Sequence, residues 1–148
     1  MRIASSPVYL DTSALVKLYV PEPDSATLEA AVVGRRDLIV SDLAVTELAS
    51  TIARRARGGD LSAVHSQRLY QRILRDLARG EFRHAELTAR VHREAERLLL
   101  GLGLRAALRA ADALHLALAA AHATRVLITF DRRMRTAAEA LGTFELPD

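Results

Sequence analysis

Short runs of β-forming apolar residues alternate along this chain with longer stretches whose apolar positions recur at helical spacing. Residues 8–10, 38–40 and 126–130 are such runs, and each predicts a short buried strand. The stretches between them carry apolar residues three and four positions apart, which predicts helices. Strands that alternate with helices favour a parallel α/β sheet with helices on both of its faces.

Capping residues and glycines predict where the helices end. The expected ends lie near the following positions: Tyr19, Ala31, Arg57, Gly80, Leu100, Ala123 and Leu141. The alanine-rich helix is expected to begin at Arg105, because Gly101 and Gly103 interrupt the chain just before it. The pattern leaves open whether residues 82–87 are extended and whether residues 144–146 form a last strand.

Length and composition narrow the class of protein. With 148 residues, the chain is expected to form one domain, residues 1–148, with a substantial core. It contains no cysteine, which excludes disulfides, zinc–thiolate sites and cysteine nucleophiles and favours a reducing cytoplasm. The first apolar run is too short for a signal peptide, and the apolar run at 116–121 is too short to span a membrane.

Four acids stand out by their positions. Asp11 and Asp131 directly follow the first and the last predicted strand, where a parallel sheet usually forms its ligand crevice. Glu47 lies one turn into the helix after the second strand, and Asp112 lies in the apolar stretch AALRAADALHLALAAA. Simpler roles are open for each acid. Asp11 and Asp131 would cap helices, Glu47 would be a surface acid, and Asp112 would pair with Arg109.

Acids that converge from strand ends and helix starts form a site of hard oxygen ligands, which magnesium and manganese prefer. A metal ion would also explain Asp112, because an exposed pair with Arg109 contributes only about 0.2–0.5 kcal/mol. Such an ion can activate water for displacement at phosphorus without a nucleophilic residue. None of the histidines has the spacing of a zinc site. His115, one turn after Asp112, is interpreted as a buried, hydrogen-bonded histidine rather than a cleft residue.

Four stretches carry a resemblance to a known family: YLDTSALVKLYVPEP at the start, SDLAVTELAS around Glu47, LRAADALHLALA around Asp112 and VLITFDRRMRTAAEALG around Asp131. In this order they resemble PIN-domain proteins, and within that family the VapC-type toxins of bacterial toxin–antitoxin pairs. The resemblance implies a PIN-like α/β fold and cleavage of structured RNA, such as tRNA or rRNA, that depends on magnesium or manganese. It also implies a cognate VapB-type antitoxin and a homodimer.

The resemblance implies a set of four catalytic acids: Asp11, Glu47, Asp112 and Asp131. The implied metal ligands among them are Asp11, Asp112 and Asp131. Ser13 and Thr129 match hydroxyl positions that support this acid cluster.

The chain departs from the family pattern next to the fourth acid. Family members often carry a further acid or an asparagine there, whereas this chain has Arg132 and Arg133 and contains no asparagine at all. The departure leaves the binding of a second metal ion open. Direct contact of the two arginines with RNA phosphate and a solvated first helical turn are both open interpretations.

Other classes of protein present similar features. Haloacid-dehalogenase-type phosphatases need a second aspartate two residues after the first, where this chain has Ser13, and both they and receiver domains need a late lysine. Because Lys17 is the only lysine, both classes are excluded. A PIN nuclease of RNA processing without an antitoxin remains an alternative. An inactive RNA-binding PIN domain is a weaker one, because all four acids are present.

Overall fold

The computed structural model describes residues 1–148 as four strands and seven helices. The strands are β1 (Val8–Leu10), β2 (Leu38–Ser41), β3 (Arg83–Ala85) and β4 (Val126–Ile128). The helices are α1 (Thr12–Tyr19), α2 (Ser25–Val32), α3 (Asp42–Arg57), α4 (Ala63–Ala78), α5 (Ala89–Gly101), α6 (Ala110–Ala121) and α7 (Arg132–Leu141). A 3₁₀ turn, Leu102–Leu104, follows α5. No helix combines the length and the apolar composition needed to cross a membrane.

All four strands run parallel, in the order β3-β2-β1-β4. Tyr9 in β1 lies between Ile39 of β2 and Leu127 of β4. The chain passes from β1 to β2 on one side and later adds β4 on the other, so the strand order reverses at β1. Such a reversal creates a crevice at the carboxyl ends of the strands. The predicted parallel α/β sheet is confirmed.

Strand β1 contributes to two cores, because successive residues of a strand point to opposite faces. Val8 and Leu10 pack on one face with α1 to α4, and Tyr9 packs on the other with α5 to α7. The two faces bury these helix side chains: Leu15, Leu28, Leu48 and Ile73 on the first, and Ala95, Leu116 and Met134 on the second. A fully buried leucine contributes about 1.5–3 kcal/mol, so both helix layers hold firmly to the sheet. The prediction of helices on both faces is therefore confirmed.

Most predicted boundaries agree with the structure. Each helix ends within two residues of its expected position, and β3 shows that part of residues 82–87 is extended. The predicted start of the alanine-rich helix at Arg105 is wrong, because α6 begins at Ala110. Arg109 has an extended backbone, and its N–H donates to the carboxylate of Asp112, which fixes the start of the helix there.

The predicted strand at 126–130 is too long, because β4 ends at Ile128. Beyond that residue the backbone bonds to side chains instead of a neighbouring strand, since the N–H of Phe130 donates to Ser13 Oγ at 2.8 Å. Residues 144–146 do not form a strand. Only Glu145 pairs with the edge of β4, where its carbonyl accepts from Leu127 N and its N–H donates to Arg125 O.

Candidate active site

A cleft of about 540 Å³ opens at the carboxyl end of the sheet. Its walls come from the first turns of α1, α6 and α7 and from one face of α3. All four acids singled out in the sequence line it: Asp11, Glu47, Asp112 and Asp131. The fold therefore brings together residues that lie far apart in the chain; Asp11 and Asp131 are separated by 120 positions.

Asp11 follows β1 and forms the N-cap of α1. It is only 3 % exposed, and its Oδ1 accepts hydrogen bonds from the Ser13 hydroxyl at 2.7 Å and from Ala14 N at 3.0 Å. Burial raises the pKa of this carboxyl group, and the hydroxyls of Thr129 and Ser13 oppose the rise. The side chain of Asp11 therefore caps α1 and lines the cleft at the same time.

Asp131 caps α7 in the same way. Its Oδ1 accepts from Arg133 N at 2.7 Å and from Met134 N at 3.1 Å. The loop before it is held by two hydroxyls, since Thr129 Oγ1 accepts from Asp131 N at 3.1 Å and lies 3.5 Å from Ser13 Oγ. Ser13 and Thr129 therefore connect the loop after β1 with the loop after β4.

Asp112 lies in the first turn of α6, where its Oδ2 accepts from the backbone N–H of Arg109 at 3.1 Å. The contact with Arg109 is thus a capping interaction, and the two side chains form none of the ion pairs of the fold. Burial is the main cause that raises the pKa of Asp112, and the negative charge of Asp131 raises it further. Mutual repulsion is therefore secondary to burial in this cleft.

Glu47 projects from α3 and contacts His115 of α6. His115 Nε2 lies 2.8 Å from Glu47 Oε2, and the Thr12 hydroxyl donates to the same oxygen. Hydrogen bonding to His115 lowers the pKa of Glu47, whereas burial raises the pKa of Asp11 and Asp112. His115 is buried and hydrogen-bonded, as the sequence suggested, but it also lines the cleft, which the sequence interpretation missed.

Basic side chains line the other part of the cleft: Lys17, Arg54, Arg55 and Arg109. Lys17 Nζ lies 3.3 Å from Glu22, and Arg55 pairs with the same carboxylate. Arg54 and Arg109 take part in no ion pair and remain available to an anionic ligand. The cleft thus combines an acid cluster with cations suited to phosphate.

A family model described as PIN domain matches residues 8–140, which include the whole sheet and all four acids. The chain belongs to the PIN-domain family. Ribonuclease VapC49 of Mycobacterium tuberculosis (strain ATCC 25618 / H37Rv) is 37 % identical over 143 residues, and the match covers 91 % of each chain. PIN-domain ribonucleases depend in general on a metal ion.

Solved structures of other proteins share the fold. The crystal structure of Mycobacterium tuberculosis VapC20, described as a sarcin–ricin loop cleaving toxin, has a TM-score of 0.68 with this chain and is 17 % identical. That match covers 88 % of this chain and 94 % of the other. A toxin–antitoxin complex from Klebsiella pneumoniae has a TM-score of 0.64 at 16 % identity, with 95 % and 96 % covered.

The donor chemistry of this PIN-domain cleft fits a hard divalent cation. Carboxylate oxygens line it, and Glu47 Oε1, Asp112 Oδ1 and Asp131 Oδ2 accept no hydrogen bond from the protein. The acids stand apart, however, and no three aspartate, glutamate or histidine side chains are close enough to hold one ion together. An ion would have to draw the carboxylates inward, because their like charges repel without a counter-charge.

The two arginines next to Asp131 differ in position. Arg132 lines a second cavity of about 310 Å³, which also touches Asp131, Thr129 and Phe130. Arg133 lines neither this cavity nor the cleft. Of the two, Arg132 is therefore the better placed for a ligand that extends past Asp131.

Proposed function

We propose that this PIN domain is a metal-dependent endoribonuclease of the VapC toxin type, which cleaves structured RNA such as tRNA or rRNA. The convergence of four acids on one cleft carries the proposal, because a cleft of carboxylates next to unpaired arginines suits metal-assisted cleavage of a polyanion. The relatedness to ribonuclease VapC49 over most of both chains supports the same activity.

Asp11, Asp112 and Asp131 are the proposed ligands of magnesium or manganese, and all four acids are the proposed catalytic residues. When bound there, such an ion would supply positive charge for the developing negative charge on the phosphate and would lower the pKa of water in the cleft. Glu47 is the proposed proton acceptor, because it lines the cleft and its Oε1 accepts no hydrogen bond from the protein. Ser13 and Thr129 keep the loops with Asp11 and Asp131 together.

Arg132 is the proposed contact for an RNA phosphate beyond the cut bond, because it is exposed beside Asp131 in the adjoining cavity. Arg133 is a weaker candidate for the same role. A guanidinium in this place would fix the path of the RNA without taking part in the chemical step.

The proposed partners are RNA, a VapB-type antitoxin and a second copy of the chain. The antitoxin proposal follows from the VapC type of the curated relative, and a chain of a toxin–antitoxin complex from Klebsiella pneumoniae shares the fold. A cytoplasmic location and a single domain over residues 1–148 remain predictions.

Purified protein, freed from any antitoxin, tests the activity on total tRNA and on rRNA. Discrete cleavage with magnesium or manganese that EDTA stops, and that Asp11→Asn and Asp112→Asn abolish, is the expected result. Growth arrest on expression, relieved by a small protein encoded beside the gene, distinguishes the toxin from a processing nuclease. Undiminished cleavage by both variants would refute the proposed site.

A further inference from the structure

His115 lies at the centre of a buried hydrogen-bond chain that ends at the cleft. The residue is 4 % exposed, and its Nδ1 lies 2.8 Å from the Tyr9 hydroxyl. On the other side of the ring, Nε2 lies 2.8 Å from Glu47 Oε2 and 3.2 Å from Thr12 Oγ1. The Tyr9 ring packs edge-on against the imidazole, with 5.8 Å between the ring centroids. One imidazole therefore connects the centre of the sheet with an acid of the cleft.

The donors and acceptors of this hydrogen-bond chain determine the position of one proton. An ionised Glu47 only accepts, so Nε2 of His115 must carry a hydrogen and donate it. On the Nδ1 side two arrangements are satisfied. The Tyr9 hydroxyl either accepts from Nδ1–H and donates to Ser41 Oγ at 2.8 Å, or donates to a bare Nδ1 and accepts from Ser41. The bond to Glu47 persists in both, whether the ring is charged or neutral.

The end of this hydrogen-bond chain opposite Glu47 lies inside the sheet. Tyr9 and Ser41 are fully buried in β1 and β2, and Ser41 Oγ also accepts from Ala44 N in the first turn of α3. The imidazole is thus held from the sheet, and it holds in turn a side chain on α3. Supporting hydrogen bonds of this kind keep a reactive group in its productive orientation.

The consequence appears at the two oxygens of Glu47. His115 and Thr12 both bind Oε2, whereas Oε1 accepts from no protein group. We propose that His115 is a positioning residue, which fixes Glu47 so that Oε1 faces the cleft as the proton acceptor for RNA cleavage. The inference rests on the proposed nuclease function and assigns His115 a role through Glu47, without contact with the substrate.

Two substitutions of His115 distinguish the contact made by Nε2 from the contact made by Nδ1. The amide nitrogen of glutamine in His115→Gln reaches the place of Nε2 and keeps a donor for Glu47. The shorter asparagine of His115→Asn matches Nδ1 and loses that donor. We expect His115→Asn to lower kcat about 10- to 100-fold with little change of KM, and His115→Gln to recover most of the loss.

Loss of stability is a separate effect, since His115 is buried. Leu118→Ala is the matched control, because Leu118 is fully buried on the same helix and does not line the cleft. It should lower the melting temperature while kcat, measured well below that temperature, stays at the parent value. A loss of kcat in Leu118→Ala equal to that in His115→Asn would overturn the positioning role.

A measurement without RNA or metal tests the contact itself. In ¹⁵N-histidine-labelled protein at neutral pH, the His115 ring should carry a protected proton on Nε2, and this proton should exchange faster in Glu47→Ala. A bare Nε2 in the parent would overturn the inference even if the protein cleaves RNA. A parent that cleaves no RNA would overturn the proposed function instead. A parent that cleaves, together with an equally fast His115→Asn, would overturn this inference alone.

Discussion

The Ser13 hydroxyl accepts a hydrogen bond from the backbone N–H of Phe130 at 2.8 Å. The same hydroxyl donates to Asp11 Oδ1, so one atom connects the acid after β1 to the loop that carries Asp131. This side-chain oxygen therefore helps to set the relative position of two proposed metal ligands, together with the backbone bond from Asp11 N–H to Ile128 O.

Ser13→Ala should reduce cleavage by about 10- to 100-fold, because the loops after β1 and β4 lose their common bond. The free energy of unfolding should fall by about 1–3 kcal/mol, since the Phe130 N–H loses its partner. Steady-state kinetics and urea unfolding measure the two effects. Thr136→Ala is the matched control, because its hydroxyl bonds only to Arg132 O on the exposed side of α7. Equal activities of the two variants would contradict the supporting role of Ser13.

Asp11→Asn should leave the metal-free protein as stable as the parent, or more stable, at neutral pH. Burial raises the folded-state pKa of Asp11, so ionised Asp11 destabilises the fold once pH has risen through the unfolded and then the folded pKa. Below about pH 3.9, the unfolded value, the acid is protonated in both states and this cost disappears. Thermal melts in EDTA at neutral and acidic pH measure the difference between parent and variant.

Asp11→Ala is the control for the cap. Asparagine retains an oxygen that accepts from Ala14 N, whereas alanine removes it and should cost about 0.5–2 kcal/mol. If asparagine destabilises as much as alanine at neutral pH, the negative charge itself stabilises the fold and the acid is structural.

Manganese should stabilise the parent by about 2.7 kcal/mol when its free concentration reaches about 100 times the dissociation constant. Asp11→Asn and Asp112→Asn should gain much less, because each variant lacks one of the charged proposed ligands. Melting curves with increasing manganese, compared with curves in EDTA, give the gain. An unchanged melting temperature of the parent at millimolar manganese would argue against a metal site in this cleft.

Arg132→Ala should weaken RNA binding and raise KM with little change of kcat, because the arginine is proposed to hold a phosphate away from the cut bond. The slope of log affinity against log salt concentration should decrease by about 0.7–0.9, as expected for one lost phosphate contact. Arg68→Ala is the matched control, since Arg68 is exposed on α4 and lines neither the cleft nor the adjoining cavity. Fluorescence anisotropy with labelled tRNA in EDTA, over a series of salt concentrations, compares the two variants.

The sheet and the acids were predictable because their signals are local. Three apolar runs marked three strands, and Asp11 follows the first of them directly, so periodicity and the topology of parallel sheets brought the acids to one edge. The sequence also predicted helix capping as the alternative role of Asp11 and Asp131, and the structure contains the capping hydrogen bonds of both residues.

The predictions from sequence failed where contacts of side chains determine the conformation of the backbone. Alanine-rich sequence favours a helix from Arg105, but the bond from the Arg109 N–H to Asp112 starts α6 at Ala110 instead. Strand β4 ends early because the N–H of Phe130 donates a hydrogen bond to Ser13, which lies near the start of the chain. His115 was recognised as buried, but its contact with Glu47 spans 68 residues and has no sequence signal beyond its place after Asp112.

The capping bonds of Asp11 and Asp131 bear on how such a chain loses its activity by mutation. Replacing either acid with most other residues removes a cap, so the variant is less stable and more exposed to proteolysis, in addition to the loss of activity that the proposed function predicts. Asparagine is the exception, because it caps as well as aspartate and lacks the charge. One base transition converts an aspartate codon to an asparagine codon. On the proposed function, a single inherited change would therefore leave a folded, inactive protein that still competes for the partners of the active one.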